Sequence, residues 1–480
     1  MLSVPNEGLV PLAPTGLRRE VLGFWEVVAQ SVANIAPSAT PALIVPLAVA
    51  ATGNATWLAY VFATTALLLV TFHINQFAKR SSSPGSLYTY VAKGLGPTWG
   101  VITGWCLVIA YLIIGGSVLA GAANYIKVLA HLFVRGHDVP LTVFAMILVA
   151  AAAWYVAYRD IKLSTQFMLA LEFLSVSLIL ILAMAYFLKA RTIIDPAQFS
   201  FARLHISDIR QGLVLAIFSY VGFESATALG HEAKNPLHSI PRAIPLTVIA
   251  VGALFVFMTY TLVLAFHGQK PPLSESNAPL NVLSQLAGIP VFGIVISVGV
   301  IISFFACALA CMNAGSRVLF AMSRHGLFHS SAGDAHKVHA TPHVAVNVAA
   351  VVVLGAPLAM FLSHVAVLNI FGYLGAIGTF GVLFAYVFIS LASPRYLKSL
   401  GELTGVVTFA SIITILLLAI PIAGSLYPIP AAPYNYLPYI FLAMLAVGVA
   451  RFAYLRLTKP GIIAAIQKDL ISELLPAAEV

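Results

Sequence analysis

SVANIAPSATPALIVP, residues 31–46, and FSYVGFESATALG, residues 218–230, decide the fold of this chain. Each lies within a stretch long enough to cross a bilayer. Each also concentrates helix breakers or a carboxylate where hydrocarbon tolerates neither without an internal partner. A proline offers no N–H to the carbonyl four residues back, so Pro37, Pro41 and Pro46 deprive the carbonyls of Ala33, Pro37 and Ala42 of helical donors. Such losses, crowded together, predict a break; the alternative is a run of proline kinks repaired by neighbouring helices. Ser38 and Thr40 stand between the prolines, and a half-helix starting after the break would present free N–H groups and a positive dipole end suited to a carboxylate. The second stretch places Glu224 directly after Gly222 and Phe223. An ionisable group near mid-membrane should face the protein interior or a water-filled cavity, which makes Glu224 the first candidate for proton coupling. Its structural alternative is a carboxylate that accepts backbone hydrogen bonds from the unwound first span. Interrupted spans in corresponding places of two halves point to the binding site of a secondary transporter.

Composition agrees with a membrane location. Of 480 residues, 60 % are hydrophobic and 9 % are charged, too little polar surface to enclose a soluble core of this size. A window of about 20 apolar residues predicts twelve spans, at roughly 21–51, 57–77, 99–129, 141–158, 165–188, 209–229, 244–266, 289–322, 344–362, 365–390, 406–426 and 436–455. The first 20 residues hold prolines, Arg18 and Arg19 and no apolar core, so no cleaved leader is expected. With the N-terminus in the cytoplasm, the outer side carries Lys127, Arg135, Lys189, Arg191, Arg203, Arg210 and Lys270, and the rest of the 25 Lys and Arg fall inside. That asymmetry predicts a cell-membrane protein with both termini cytoplasmic. The net charge of +9 is dispersed over many inner segments without interleaved aromatics, which argues against a nucleic-acid partner. Cys106, Cys307 and Cys311 fall inside predicted spans without a CxxC pattern and read as small core residues.

Three motifs then occur in order. FSYVGFESATALGHEAKNPLHSIPRAI (218–244), SSSPGSLYTYVAKGLGPTWGVITGW (81–105) and SRVLFAMSRHGLFHSSAGDAHKVHATPHVAV (316–346) together resemble the amino acid/polyamine/organocation (APC) superfamily of transporters. The resemblance implies an all-α integral membrane fold of 12 transmembrane helices, with a 5+5 inverted repeat and discontinuous helices 1 and 6. It implies a cytoplasmic segment at 1–20, a transport core at 21–393, two appended helices at 394–458 and a cytoplasmic tail at 459–480. It also implies a substrate near the midplane, an amino acid or amine. Backbone around Ala36, Pro37, Ser38, Ala39 and Thr40 would receive its carboxylate. Carbonyls around Phe218, Ser219, Tyr220 and Val221, beside Gly222, would receive its amino group, with Tyr220 and Phe223 as walls. Glu224 falls where a family carboxylate is implicated in proton coupling. The chain departs from the family where a glycine-rich first break is replaced by Ala, Pro and Ser. It departs again where a fifth-span lysine that stands in for sodium is replaced by Ser175, leaving an ion site there as the alternative.

Glu172 lies one turn before Ser175 and either titrates during transport or clamps two helices. Glu26, near the start of the first span, is expected to snorkel to the interface. Trp105, Tyr111 and Tyr373 are candidate gate or pocket aromatics, with core packing as the alternative. Gly372, Gly375, Gly378 and Gly381 put a smooth face on the tenth span. The histidines at 325, 329, 336, 339 and 343 read as solvated loop residues, because glycines and a proline interrupt any shared helical face. No HExxH, GxSxG or GxxxxGK[ST] is present, so neither an enzyme nor an ATP-driven pump is expected, and no cofactor is called for. The leading expectation is a secondary active transporter of neutral or cationic amino acids, working by proton symport. Exchange or sodium coupling is the alternative, followed by a ligand sensor on a transporter fold.

Overall fold

The computed structural model describes residues 16–131, 138–190, 192–200, 206–427, 429–459 and 461–472. Arg135, Arg191 and Arg203, the first 15 residues and the end of the tail lie outside them. Among the described residues, sixteen α-helices follow one another: α1 (Phe24–Ile35), α2 (Val45–Thr52), α3 (Thr56–Ala78), α4 (Leu87–Leu95), α5 (Pro97–Ala130), α6 (Asp138–Arg159), α7 (Ile161–Lys189), α8 (Ile206–Phe218), α9 (Pro236–Ala265), α10 (Pro279–Leu286), α11 (Phe292–Arg324), α12 (His343–Leu362), α13 (Val367–Ser399), α14 (Gly405–Gly424), α15 (Leu437–Thr458) and α16 (Gly461–Ser472). An isolated bridge joins Leu22 with Ala233.

Among the described residues, eleven apolar helical runs are long enough to cross a membrane. The first, Phe24–Ala78, is 55 residues long and holds both of the first two predicted spans. They merge because Gly53–Ala55 is a single 3-10 turn, with Gly53 at φ +67°, so the chain reverses without leaving helical structure. The short helices α4, α10 and α16 were not expected from the hydropathy pattern.

The core is built round α5. Its apolar window is wholly buried, and α11 and α13 lie along it. Lipid-solvated helices gain little hydrophobic energy by associating, so close approach through small residues has to hold them together. The tenth-span glycines serve this end: a Cβ on Gly378 would meet Ile114 at 2.4 Å, and one on Gly381 would meet the Cys106 carbonyl at 2.5 Å. On the periphery, Phe144, Phe173, Val351, Phe409 and Val447 are exposed, which gives α6, α7, α12, α14 and α15 apolar outer faces. Exposure of this kind is what a hydrocarbon surround permits.

One end of the bundle is closed by the residues ahead of α1. The backbone N–H groups of Val21 and Leu22 both donate to the Glu232 carbonyl at 2.9 Å, and Lys234 N–H donates to the Leu22 carbonyl at 2.7 Å. The Glu232 carboxylate is gripped at both oxygens by Arg317 of α11, Nε to Oε2 at 2.6 Å and Nη2 to Oε1 at 2.8 Å. Both side chains are 1 % exposed. Arg18 pairs with Asp160 at the start of α7. Buried charges need such full partnering, and removing one partner of such a pair costs about 3–5 kcal/mol.

Candidate functional site

The first span breaks at its first proline. α1 ends at Ile35, Ala36 takes a left-handed conformation at φ +53°, and Pro37 and Ser38 form a turn. The chain then resumes helical structure as a π-helical stretch, Thr40–Ile44, which runs into α2. Pro41 and Pro46 sit in the first turns of those two pieces, where a missing N–H costs least. They do not add further breaks. Two of the carbonyls expected to lose donors find others: Ala33 O accepts from Ala36 N–H at 3.1 Å, and Ala42 O accepts from Tyr125 Oη at 3.3 Å.

The second span breaks differently. α8 ends at Phe218, residues 219–222 form turns, and Phe223–Leu229 continues as a 3-10 helix. Gly222 is the pivot at φ +105°, and a Cβ there would stand 2.5 Å from the Asn34 amide nitrogen. Only glycine meets both demands at that point.

The breaks are cross-tied. Ser31 Oγ donates to the Phe223 carbonyl at 2.7 Å, Asn34 Nδ2 to the Gly222 carbonyl at 3.4 Å, and Ser225 Oγ to the Gln30 carbonyl at 3.2 Å. Glu224 lies beside these ties with no solvent exposure. Tyr111 Oη of α5 donates to its Oε1 at 2.8 Å, and Tyr386 Oη of α13 donates to its Oε2 at 2.5 Å. The Tyr386 ring also packs on Phe223, with centroids 5.3 Å apart. Among the described residues no cation pairs with Glu224, and two tyrosine hydroxyls solvate its carboxylate.

The expected ion-site and second-carboxylate positions lie on α7 and face inward. Ser175 Oγ donates to the Gly299 carbonyl of α11 at 2.8 Å and meets Ser38 Oγ at 2.5 Å, tying the first break to α7 and α11. Glu172 is 3 % exposed, and Ser303 Oγ of α11 spans both its oxygens at 3.1 and 3.0 Å. Thr40 Oγ1, within the first broken span, is fully buried and has no partner.

Of the other expected wall residues, Tyr220 turns toward α3 and α9. Its hydroxyl meets Thr64 Oγ1 at 2.6 Å, and its ring meets Phe255 edge-on at 5.0 Å. Ser219 Oγ is 3.1 Å from Tyr60 Oη. Val221, Ala39 and Pro37 are buried within the breaks. Phe218 lines a cavity of about 530 Å³ bounded by α2, α8, α13 and the segment between α14 and α15, at the end of the bundle opposite the Leu22–Ala233 bridge. That cavity touches the second break at Phe218 and does not include Glu224. Gly375 seats the Phe218 ring, since a Cβ there would be 2.1 Å from Cζ.

Among the aromatics, Tyr111 reaches the carboxylate. Trp105 instead packs on Phe328 and against Gly448. Tyr373 meets Tyr434, a cavity-wall residue, edge-on with centroids 5.3 Å apart. Glu26 accepts from Gln166 Nε2 at 3.3 Å on the surface. His336, His339 and His343 cluster round Tyr158, and among the described residues no group of three or more His, Cys, Asp or Glu could hold a metal ion. Sequence reasoning missed Tyr386, Asn34 and Ser303. The one available signal for Tyr386 was a phenol inside an apolar span, which needs a hydrogen-bond partner.

Two interrupted helices tied across a buried carboxylate, inside a shell of membrane-length helices with apolar outer faces, are the architecture of a multi-pass membrane transporter. The amino acid permease family model matches residues 27–459, and the chain belongs to that family. It is 29 % identical over 347 residues to the low-affinity putrescine importer PlaP of Escherichia coli (strain K12), covering 70 % of this chain and 72 % of that one. It is 25 % identical over 307 residues to the branched-chain amino acid permease BcaP of Bacillus subtilis (strain 168), covering 60 % and 64 %. Cationic amino acid transporter 4 of Mus musculus is 25 % identical over 353 residues, covering 70 % of this chain and 53 % of the relative.

Proposed function

We propose that this permease moves an amino acid or a small amine across the cell membrane by alternating access, coupled to protons at Glu224. The observation that carries the reading is a carboxylate with no solvent exposure, set in the second break and solvated by two tyrosine hydroxyls from different helices. When ionised it accepts both hydroxyls. When protonated it must donate one bond itself, and one hydroxyl has to turn away. Because Phe223 and Gly222 are tied to Ser31 and Asn34, a change at Glu224 is mechanically linked to the first break. Glu172, with a single serine donor, is the second candidate for a titrating group.

The substrate would sit between the breaks, with its carboxylate at 36–40 and its amino group at the carbonyls of 218–221. Thr40 Oγ1 is the hydroxyl there that is free to bind it. Ser38 Oγ is already engaged by Ser175, which supports an ion site at Ser38, Ser175 and the Gly299 carbonyl as a second reading, with sodium as the coupling ion. The named relatives import putrescine or carry branched-chain or cationic amino acids, consistent with neutral and cationic substrates. The wider reading is of twelve spans, with 21–393 as a 5+5 inverted-repeat core, two appended helices, and both termini in the cytoplasm. The closed end at Leu22–Ala233 would then be the inner face, and the cavity at Phe218 would open outward.

Uptake of labelled putrescine, leucine and arginine into proteoliposomes tests this. A pH gradient, acid outside, should drive accumulation of at least one of them, and Glu224→Gln should abolish the gradient's effect. Uptake that ignores both changes overturns proton coupling, and uptake that follows a sodium gradient selects the second reading.

A further inference from the structure

Cys307 and Cys311 stand one turn apart on α11, and both thiols are buried. They converge on a single residue of the first span: Cys307 Sγ donates to the Asn34 carbonyl at 3.2 Å, and Cys311 Sγ donates to Asn34 Oδ1 at 2.9 Å. Asn34 is the residue that touches the Gly222 pivot. A thiol pair therefore lies directly behind the contact between the two breaks.

Two chemistries suit neighbouring thiols, and geometry separates them. A disulfide needs Cβ atoms about 3.5–4.5 Å apart. Positions four apart on a helix hold them at about 5–6 Å, so α11 would have to distort to oxidise. A two-coordinate ion placed between the sulfurs needs no such approach. Charge then selects the ion. Thiolates favour soft cations, and a buried apolar site favours a product with no net charge. A monovalent ion on two thiolates leaves one negative charge. A hard or tetrahedral divalent ion lacks its remaining ligands here, since no larger His, Cys, Asp or Glu group surrounds the pair among the described residues. A soft divalent ion with linear coordination leaves none.

We propose that Cys307 and Cys311 form a binding site for the mercuric ion, or another soft, linear divalent cation, and that occupation arrests transport. Two S–H bonds break, two S–Hg bonds form and two protons leave to solvent, with no change in oxidation state. The same loss of protons removes both donors from Asn34, releasing the residue that braces Gly222.

The test uses purified full-length protein titrated with mercuric chloride in excess monothiol, which outcompetes any single cysteine but not a chelating pair. The readout is the mercury that stays with the protein after gel filtration removes the monothiol and its own mercury complex. One ion should bind per chain, and Cys307→Ser or Cys311→Ser should each weaken binding on the order of 100-fold, the scale of a lost second attachment. Cys106→Ser should bind as the parent does. Binding unchanged in either serine variant, or no binding in the parent, overturns the proposal. If a variant does not fold, alkylation of the parent protein followed by mass spectrometry decides. Bound mercury should protect Cys307 and Cys311 together while Cys106 labels on unfolding; equal labelling of all three overturns the site. In proteoliposomes the ion should block uptake and a dithiol should restore it.

Discussion

The two broken spans reach similar ends by opposite means. The first is broken by subtraction: Pro37 removes a donor, and Ala36 bends into a left-handed conformation that a Cβ disfavours by roughly 1–2 kcal/mol. The second is broken by permission, at a glycine whose φ of +105° carries no such penalty and whose missing side chain leaves room for Asn34. Their polar groups differ as well. Around the second break every carboxylate oxygen is matched by a tyrosine hydroxyl, whereas the first keeps Thr40 Oγ1 unmatched. A strained break with a spare hydroxyl suits a site that a ligand completes, and a relaxed, saturated one suits a switch that changes protonation.

Four substitutions, and one control, would break or sharpen that contrast. The largest effect belongs to Gly222→Ala, which adds both a left-handed penalty and an overlap with Asn34. Overpacking of this kind costs about 1–3 kcal/mol on top of the backbone term. Uptake should fall to background and the thermal midpoint of the purified protein should drop; a stable, active variant would refute the pivot.

Tyr386→Phe comes next. It removes one of two hydrogen bonds to the buried carboxylate, worth about 1.5–3 kcal/mol when the acceptor is ionised. Because the ionised form is the one that loses a donor, the pH profile of uptake should move to higher pH. Tyr373→Phe, at a ring that does not touch the carboxylate, should leave the profile in place.

Ser175→Ala should cost about 1 kcal/mol, the scale of a neutral hydrogen bond, because the Gly299 carbonyl and Ser38 lose their shared partner. If Ser175 also serves an ion, uptake in the variant will lose its response to that ion while proton dependence persists. The smallest effect is expected from Ala36→Gly. Relief of left-handed strain and the greater freedom of the unfolded chain nearly offset each other, so the midpoint should move by less than about 1 kcal/mol in either direction. A large loss of stability would mean that the Ala36 methyl is a packing element and that the strain reading of the first break is wrong.

The fold class was legible because membrane solvation writes itself into long apolar runs, and the breaks because proline and glycine act on the backbone locally. Glu224 was legible for a related reason, since a carboxylate in a span is expensive wherever it faces. What could not be read was which side chains converge. Tyr386 lies 162 positions from Glu224, and nothing in its own helix marks it apart from its phenol. Tyr220 and Trp105 show the converse. Both are aromatic, both adjoin the right motifs, and both point elsewhere, because the local backbone, a turn at Tyr220 and helical rotation at Trp105, decides what a ring faces and sequence adjacency does not. The merger of the first two spans across Gly53–Ala55 has a similar origin, for a reversal can be made by one tight turn that hydropathy averages over.

α5 has a further consequence. Its apolar window is entirely enclosed by protein, yet it is about as apolar as the peripheral helices α6 and α12. Membrane helices are individually stable before they associate, so during biogenesis α5 can stand in lipid alone and later exchange acyl chains for glycine-lined neighbours. Its side chains are thus compatible with two solvents in succession. Tyr111 and Tyr125 have to wait for the second, because their hydroxyls gain Glu224 and the Ala42 carbonyl only when those partners close around them.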